Sequence, residues 1–431
     1  MRDIILNINE LGAIKSSTIH LKPLMIISGE SGLGKSYLAI LLHYVYKIIA
    51  ELRLQDFFEK NQWDFESLAK IDANQGTVSF KSTSLISWIN KDAIEYMCGA
   101  VGNSHLNIDI SFDLPGLPEE FTMSYRTESL GLVGKEKKYL EFTSNNFLGG
   151  TFRIPVTTKE IGAFPWTLFL QHYLSDYFLE NDKIDQTIAL VPGRGALLNI
   201  PLTIQDKIKN GADIFAEFLK DWDVVRSMDS KKNTNEELVL MLREINGGSI
   251  VLDNDKKVLY RMSTGKELPL SAAASSVKEL APLDVLLAKY PAEDVSILFE
   301  EPEAHIHPAK QVAIADFIIQ AVNKGAHMQI TTHSDYFLRR INDRIFLHVI
   351  KKHDEKQYEQ IIGKYGYSDL SVDPEVIGAY LLRRESDGSV RAVSQSLDKG
   401  IPYESFYSVL TNDIGHSMDI QYEYNSIKDA E

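Results

Sequence analysis

The sequence predicts an α/β fold with a mixed sheet, and three short strand-like runs carry this prediction. Residues 24–27 and 295–299 are short and largely apolar, which is typical of buried strands, and residues 327–331 are interpreted as a third strand. The first run continues into a glycine-rich segment and then into an apolar pattern with helical spacing. Because polar residues follow each run, we expect the three strand ends to lie side by side at one edge of the sheet.

The composition is that of a large globular chain. Its 431 residues, 44% hydrophobic and 24% charged, are enough for one large domain with insertions or for two domains, and we expect a single domain over residues 1–431. The net charge of −15 argues against a uniformly basic nucleic-acid-binding surface, so charge lends DNA binding no support. Cys98 is the only cysteine, which excludes an intramolecular disulfide and a cysteine metal cluster.

The amino terminus and the apolar segments predict a cytoplasmic protein without membrane contact. Arg2 and Asp3 place charge at the start, and no apolar stretch there is long enough for a signal peptide. Polar residues interrupt the long apolar segment 38–50, which falls short of the roughly 20 residues that span a bilayer.

The glycine-rich segment Gly29–Ser36 (GESGLGKS) fits the phosphate-binding pattern G-x-x-x-x-G-K-[ST] at every fixed position. Lys35 can reach the β- and γ-phosphates, and Ser36 can offer its hydroxyl to Mg²⁺, so ATP and Mg²⁺ are the predicted ligands. The alternative is a glycine-rich turn with a chance lysine, which the strand before it and the helix start after it disfavour. The residues predicted to turn their backbone N–H groups toward phosphate are Gly29, Glu30, Ser31, Gly32, Leu33 and Gly34.

The segments around this loop follow simple periodic patterns. Strands are predicted at 3–8 and 17–21, and a long helix from 37 to about 58. Residues 59–185 are predicted to form a strand-rich lobe with a helical insert. Its expected helices are 64–71, 84–97 and 164–180, and its expected strands are 106–112, 121–126, 138–143 and 151–156.

Residues 186–345 are expected to hold the second half of the site. A short buried strand, 188–191, ends close to Arg194, whose guanidinium could either aim at phosphate or close a surface salt bridge. Helices are predicted at 203–224 and 235–245, followed by a hairpin over 249–262.

The strand at 295–299 ends in two adjacent carboxylates. In a nucleotide hydrolase, Glu300 would help to hold Mg²⁺ and Glu301 would orient or activate the attacking water. The alternative, a solvated acidic turn, is the more common one for such a pair taken alone. The histidines at 305 and 307 allow a metal-ligand interpretation, but Pro308 marks a helix entry and favours a structural turn.

His333 follows the strand at 327–331, within Thr332-His333-Ser334. A lone histidine usually has a structural role. Here it could donate a hydrogen bond to the γ-phosphate and so distinguish ATP from ADP.

These residues together resemble the ABC-type P-loop ATPases of the RecF, SMC and OLD (overcoming-lysogenization-defect) kind. The resemblance covers residues 1–50 and the chain from about 186 onward, and it rests on the loop, on EEPEAHIHP and on TTHS. It implies an ABC-type fold in which Lys35 and Ser36 bind nucleotide and Mg²⁺. It also implies that Glu300 and Glu301 form the Walker B pair and that His333 is the switch histidine.

The resemblance further implies a homodimer, or a higher homo-oligomer, with a head-to-tail ATP interface. Family members close their site in trans with a signature segment, and residues 270–280 (LSAAASSVKEL) stand in its place. Ser275 and Ser276 would start a helix whose N–H groups meet the γ-phosphate in the opposite subunit. Val277 stands where the family has glycine.

The function implied is an ATP-driven dimerisation switch. Residues 346–431, expected as a C-terminal α/β extension, lack the acidic DxD-type cluster of an OLD nuclease, so the effector would be a separate polypeptide. Compact OLD-like ATPases suggest the sensor of an anti-phage defence system. The alternatives are a nucleotide-gated scaffold with little turnover and a DNA-repair or chromosome-maintenance ATPase, for which DNA-stimulated turnover would be expected.

Overall fold

The computed structural model describes residues 2–60, 75–132, 135–144, 152–155, 163–180, 183–228, 235–254, 256–402 and 404–428. The predicted helix at 64–71 lies outside the described residues. The strands are β1 (Ile5–Leu11), β2 (Ile14–His20), β3 (Leu24–Gly29), β4 (Gln75–Lys81), β5 (Ile108–Asp113), β6 (Glu120–Leu132), β7 (Lys135–Ser144), β8 (Phe152–Pro155), β9 (Gln186–Leu190), β10 (Gly248–Leu252), β11 (Val258–Met262), β12 (Glu267–Pro269), β13 (Val295–Glu300), β14 (His327–Thr332), β15 (Ile377–Arg384) and β16 (Val390–Ser394).

The α-helices lie on the sheets and in the connections between strands. They are α1 (Lys35–Ala50), α2 (Gln55–Lys60), α3 (Ser82–Val101), α4 (Ala163–Leu179), α5 (Arg194–Leu197), α6 (Leu202–Lys209), α7 (Ile214–Ser227), α8 (Glu236–Asn246), α9 (Ser275–Leu287), α10 (Pro308–Asn323), α11 (Asp335–His353), α12 (Glu355–Tyr365) and α13 (Glu404–Lys428). Within the described residues, no helix is both long enough and apolar enough to cross a membrane.

The central sheet is mixed, as the sequence predicts. Within the described residues its strand order is β5-β1-β2-β16-β15-β3-β14-β13-β9. Five neighbouring strands, β15, β3, β14, β13 and β9, run parallel, whereas β1 pairs antiparallel with β2 and β5. Glu300 lies opposite Thr331, and Thr332 lies opposite Ser28. The carboxyl ends of β3, β13 and β14 therefore meet at one edge of the sheet.

The parallel part of the sheet is the centre of the core. Every residue of β3, β13 and β14 is buried, which explains the nearly continuous apolar runs of β3 and β13. Strand β14 (HMQITT) instead alternates polar and apolar residues, and its polar side chains are buried as well. Helix α1 packs against β3, β13, β14 and β9, and it is buried on nearly all sides. The loop that precedes α1 is consequently anchored on both sides by buried elements.

Two predicted helices are interrupted. The helix predicted at 37–58 stops at Glu51, which has an extended backbone, before a short 3₁₀ turn and α2. The helix predicted at 203–224 is divided into α6 and α7 at Asn210-Gly211, and the Asp213 side chain caps α7 by accepting from Ala216 N at 2.8 Å. Side chains that bond to backbone groups compete with helix continuation, and periodicity alone does not register this.

The C-terminal segment contributes interior strands. Residues 346–431, expected as an extension, supply β15 and β16, which lie between β2 and β3 in the central sheet. Leu382 in β15 pairs with Gly29, the first residue of the phosphate-binding pattern. The site is thus bordered by a strand that lies more than three hundred residues away in the chain.

Two smaller sheets lie outside the central one. Strands β4, β6, β7 and β8 form the strand-rich lobe, where Phe142 packs on Trp166 and Phe169 of α4, and α3 is its helical insert. Strands β10, β11 and β12 form a meander that leads directly into the segment before α9. The mixed α/β fold with a strand-rich lobe and a helical insert is confirmed.

Candidate functional site

The loop Gly29–Ser36 joins β3 to α1 and requires glycine for two different reasons. Gly34 caps α1 with φ of 92°, a left-handed conformation that side chains disfavour. Gly29 has φ of 132°, and a Cβ atom there would lie 2.6 Å from the backbone oxygen of Leu382. The requirement at Gly29 is steric and comes from β15, so the residues around position 29 in the sequence do not predict it.

Lys35 is folded into this loop. Its side chain is 7% exposed, and its Nζ donates to Gly29 O at 2.9 Å and to Glu30 O at 2.8 Å. Burial lowers the pKa of Lys35, whereas attraction by the nearby carboxylates at positions 300, 301 and 303 raises it. The ammonium group is therefore bonded to its own loop and is attracted electrostatically by the acidic end of β13.

Glu300 ends β13 beside Ser36 and is 2% exposed. Burial raises the pKa of Glu300, and a hydrogen bond with the Ser36 side chain is the largest opposing effect. Its Oε2 atom is buried without a hydrogen-bond partner. A free carboxylate oxygen next to a serine hydroxyl fits Mg²⁺, which prefers oxygen ligands.

This donor set is too small for a metal cage made by the protein alone. In the part of the chain that the structure describes, no group of three or more His, Cys, Asp or Glu side chains is arranged to hold a metal. Mg²⁺ commonly takes one or two protein oxygens and completes its shell with water and phosphate oxygens. Ser36 and Glu300 match that arrangement.

Glu301 and His333 are in direct contact. His333 Nε2 lies 2.8 Å from Glu301 Oε1, and this hydrogen bond lowers the pKa of Glu301. Glu301 has φ of 44° and its N–H donates to Thr331 O at 3.0 Å. The non-glycine left-handed backbone turns the carboxylate toward the end of β14.

Glu303 has a positioning role that sequence reasoning missed. Its Oε1 accepts from Thr332 Oγ1 at 2.8 Å and from His333 N at 2.7 Å, and its burial raises its pKa. It thereby ties the loop after β13 to the loop after β14. The only sequence signal was its place in the acidic run 300–303, which gives no indication of its partners.

Arg194 corrects both interpretations made from the sequence. Its side chain is 0% exposed, so it is not part of a surface salt bridge, and its donors engage the protein rather than open space. Nη1 donates to Glu300 O and Val191 O, both at 3.0 Å, and Nε donates to Glu279 O at 2.8 Å. The guanidinium is a buried link between β13 and α9.

The predicted signature segment begins a helix as expected, since α9 starts at Ser275. Ser275 is exposed and Ser276 is half-buried, while the side chain of Val277 is 3% exposed and packs into the core. Within the described chain, no hydrogen bond joins either serine to the loop 29–36. The valine that replaces glycine does not cover the exposed start of α9.

The two histidines after β13 belong to a turn. His305 has a left-handed backbone with φ of 59°, and the His307 ring nitrogen Nδ1 accepts from Ala309 N at 3.3 Å. His307 therefore caps α10, which has Pro308 in its first turn. This matches the structural turn that the sequence favoured.

Comparison with known proteins places an ATPase domain over the acidic half of this site. Residues 174–338 match the family model of the AAA ATPase domain. The match covers less than half of the chain, and the loop 29–36 lies outside it. No curated protein sequence matches the chain significantly.

Solved structures similar to this chain include three SMC head domains. The first, bound to the C-winged helix domain of ScpA, has 14% identity and a TM-score of 0.39, over 92% of this chain and 98% of that one. The second, from Thermotoga maritima, has 10% identity and a TM-score of 0.34, over 92% and 100%. The third, from Pyrococcus furiosus with an extended coiled coil and bound to the C-terminal domain of ScpA, has 12% identity and a TM-score of 0.37, over 93% and 98%.

Proposed function

We propose that this chain is a Mg²⁺-dependent ATPase whose nucleotide site is completed by a second copy. The observation that carries the proposal is the set of contacts that joins three strand ends. Ser36 hydrogen-bonds Glu300, Lys35 faces the carboxylates, and Glu301 Oε1 lies 2.8 Å from His333 Nε2. A phosphate loop, an acid suited to Mg²⁺ and an acid that can orient water at one sheet edge are the parts that phosphoryl transfer to water uses.

Each group has a distinct task in this proposal. The N–H groups of the loop and the Lys35 ammonium bind the phosphates. Ser36 and Glu300 would hold Mg²⁺, and the bound ion would offset the negative charge of the phosphates. Glu301, whose pKa the His333 contact lowers, stays ionised and can orient and accept a proton from water. His333 Nε2 holds the Glu301 carboxylate in this structure and would donate to the γ-phosphate in place of that contact.

The positive end of a helix binds phosphate groups, and α1 supplies one such end to the loop of its own chain. The exposed start of α9 at Ser275 and Ser276 is such an end, and it is not bonded to the loop of its own chain. In a head-to-tail dimer, each α9 would meet the nucleotide in the other copy. ATP would then act as the contact that holds the dimer together, and hydrolysis would release it.

Resemblance to OLD-like ATPases supports a more specific role, as the cytoplasmic sensor of an anti-phage defence system with a separate effector. A nucleotide-gated scaffold and a DNA-repair or chromosome-maintenance ATPase are the competing functions. They differ in measurable ways, since a scaffold assembles with ATP but hardly turns it over, and a DNA-repair enzyme is stimulated by DNA in a salt-dependent manner.

The decisive experiment measures phosphate release and molar mass of the purified full chain with ATP and Mg²⁺. We expect Lys35→Ala to abolish both hydrolysis and ATP-dependent dimers, and Glu301→Gln to abolish hydrolysis but to retain dimers. Lys289→Ala is the matched control, because Lys289 is also buried and donates to two backbone carbonyls, those of Arg226 and Met228.

Equal hydrolysis by wild type and Glu301→Gln would overturn the catalytic role of Glu301. ATP-dependent dimers without hydrolysis in the wild type would favour the scaffold, and an increase of turnover with duplex DNA would favour the DNA-repair function.

A further inference from the structure

Arg194 connects the end of β13 with helix α9. On one side its Nη1 donates to the backbone oxygen of Glu300 at 3.0 Å. On the other side its Nε donates to the backbone oxygen of Glu279 in α9 at 2.8 Å and lies 3.4 Å from the Glu279 carboxylate. One rigid, planar group thus spans the distance between β13 and the helix that begins at Ser275.

Gly195, the residue after Arg194, sets the distance between α5 and α9. Gly195 N donates to Glu279 Oε1 at 3.3 Å, and a Cβ on Gly195 would lie 2.9 Å from Lys278 Cβ and from Glu279 Oε1. Real Cβ atoms do not approach this closely, so only glycine permits this distance between α5 and α9. A displacement of α9 is therefore passed on directly to Arg194.

The Arg194 guanidinium is also charged, and one of its nitrogen atoms has no hydrogen-bond partner. Arg194 lies over the ring of Phe299 at 4.8 Å, and its Nη2 is buried without a hydrogen-bond partner. Burial lowers the pKa of Arg194 to about 10, while four glutamates (Glu279, Glu300, Glu301 and Glu303) raise it, so the group is a cation at neutral pH. Because Nη2 has no partner, it can gain a carboxylate contact when the end of β13 moves, while the hydrogen bonds of Arg194 to backbone oxygens remain in place.

We propose that Arg194 is a positioning residue that transmits the engagement of α9 to the carboxylates of β13 in the same chain. This inference rests on the proposed function. When the start of α9 binds the nucleotide held by a second copy, Arg194 adjusts the end of β13 next to the nucleotide held by its own copy. The two nucleotide sites of a dimer are thereby coupled through the inside of each subunit.

The test uses two variants that alter the link in different ways. Arg194→Lys keeps the charge but loses the planar fork, and Gly195→Ala keeps Arg194 but pushes α9 away from α5. Arg344→Lys is the control for the first, because Arg344 is also 0% exposed and binds Asp316 and backbone oxygens remote from the site. Gly363→Ala is the control for the second, because a Cβ there meets nothing within 4 Å.

The readouts are kcat, the Hill coefficient of hydrolysis against ATP concentration, ATP affinity of the isolated chain at low protein concentration, and Tm. For the wild type we expect a Hill coefficient between 1 and 2. For Arg194→Lys and Gly195→Ala we expect a Hill coefficient of about 1 and kcat reduced by about tenfold or more, with ATP affinity unchanged, which corresponds to loss of coupling rather than loss of binding.

The inference is overturned if both variants keep the wild-type Hill coefficient and kcat, or if the wild type itself shows no cooperativity. It is also overturned if Arg344→Lys and Gly363→Ala reduce kcat equally, since the effect would then be general loss of stability. A wild-type chain without ATPase activity contradicts the proposed function instead, which keeps the two failures apart.

Discussion

Glu301 Oε1 and His333 Nε2 lie 2.8 Å apart, although the two residues follow different strands. The pairing of β13 with β14 places them at the same sheet edge. Glu303 Oε1 fixes the backbone of His333 by accepting a hydrogen bond from His333 N at 2.7 Å. The contact lowers the pKa of Glu301, so the carboxylate is present in its basic form over a wider pH range.

Removal of His333 should shift the pH dependence of hydrolysis. In His333→Ala the carboxyl of Glu301 loses its hydrogen-bond donor, its pKa rises, and it becomes protonated at higher pH than in the wild type. We expect the acidic limb of the kcat profile to move to higher pH and kcat at neutral pH to fall by about 10²-fold. The measurement is phosphate release between pH 3.5 and 8, because the acidic limb of the wild type lies below pH 4.5. An unchanged acidic limb would show that Glu301 does not set it.

Substitutions of Glu303 should separate positioning from charge. Glu303→Gln keeps an oxygen that accepts from Thr332 Oγ1 and His333 N, and its amide replaces an Oε2 atom that has no hydrogen-bond partner. We expect this variant to stay within about threefold of wild-type kcat, whereas Glu303→Ala, which leaves both donors unpaired, should lose about 10-fold or more. Steady-state kinetics test this, and equal losses in both variants would mean that the charge itself is required.

Gly29→Ala should destabilise the fold more than a glycine substitution in an open turn. A Cβ at position 29 would lie 2.6 Å from Leu382 O, and the backbone φ of 132° is unfavourable for alanine. We therefore expect a loss of more than about 2 kcal/mol in the free energy of unfolding. Gly388→Ala has φ of 84° but open space around it, so it should cost about 1 kcal/mol. Urea unfolding of the two variants tests the difference, and equal losses would show that β15 yields to the added methyl group.

His327 predicts a pH-dependent loss of stability on the acidic side. Burial lowers the pKa of His327 to about 4, so between pH 6.5 and 4 the unfolded state binds the proton and the folded state does not. Stability from this group is full above pH 6.5 and falls by about 1.4 kcal/mol for each pH unit below it. His43 is buried in the same way and its pKa is also lowered to about 4.

Other groups also affect stability in this pH range. Burial raises the pKa of Asp284 to about 7, so protonation of Asp284 stabilises the folded state as the pH falls, opposite to the effect of His327. A comparison of variants therefore isolates the contribution of His327. Between pH 7.5 and 5.5, we expect the free energy of unfolding of His327→Gln to fall by about 1.4 kcal/mol less than that of the wild type. The control His105→Gln, at an exposed position, should lose as much as the wild type. Identical differences in both variants would exclude His327 as the source.

The parts of the site that local patterns predict are those made by contiguous residues. The loop 29–36, the carboxylates at 300 and 301 and the helix start at Ser275 each follow from residues close in the chain, since turn geometry, strand ends and helix capping are short-range effects. The roles of Glu303 and Arg194 could not be predicted in this way, because their partners lie on other strands and helices.

The sequence by itself determined the mixed α/β class, the glycine-rich loop that fits the phosphate-binding pattern, and which strands are followed by carboxylate or histidine side chains. The tertiary structure alone decided that β15 borders Gly29, that His333 meets Glu301, and that Arg194 is buried between β13 and α9. The physical reason is the range of the interactions. Periodicity and backbone preference act over a few residues, whereas strand order and the burial of a charge depend on contacts between segments distant in the chain.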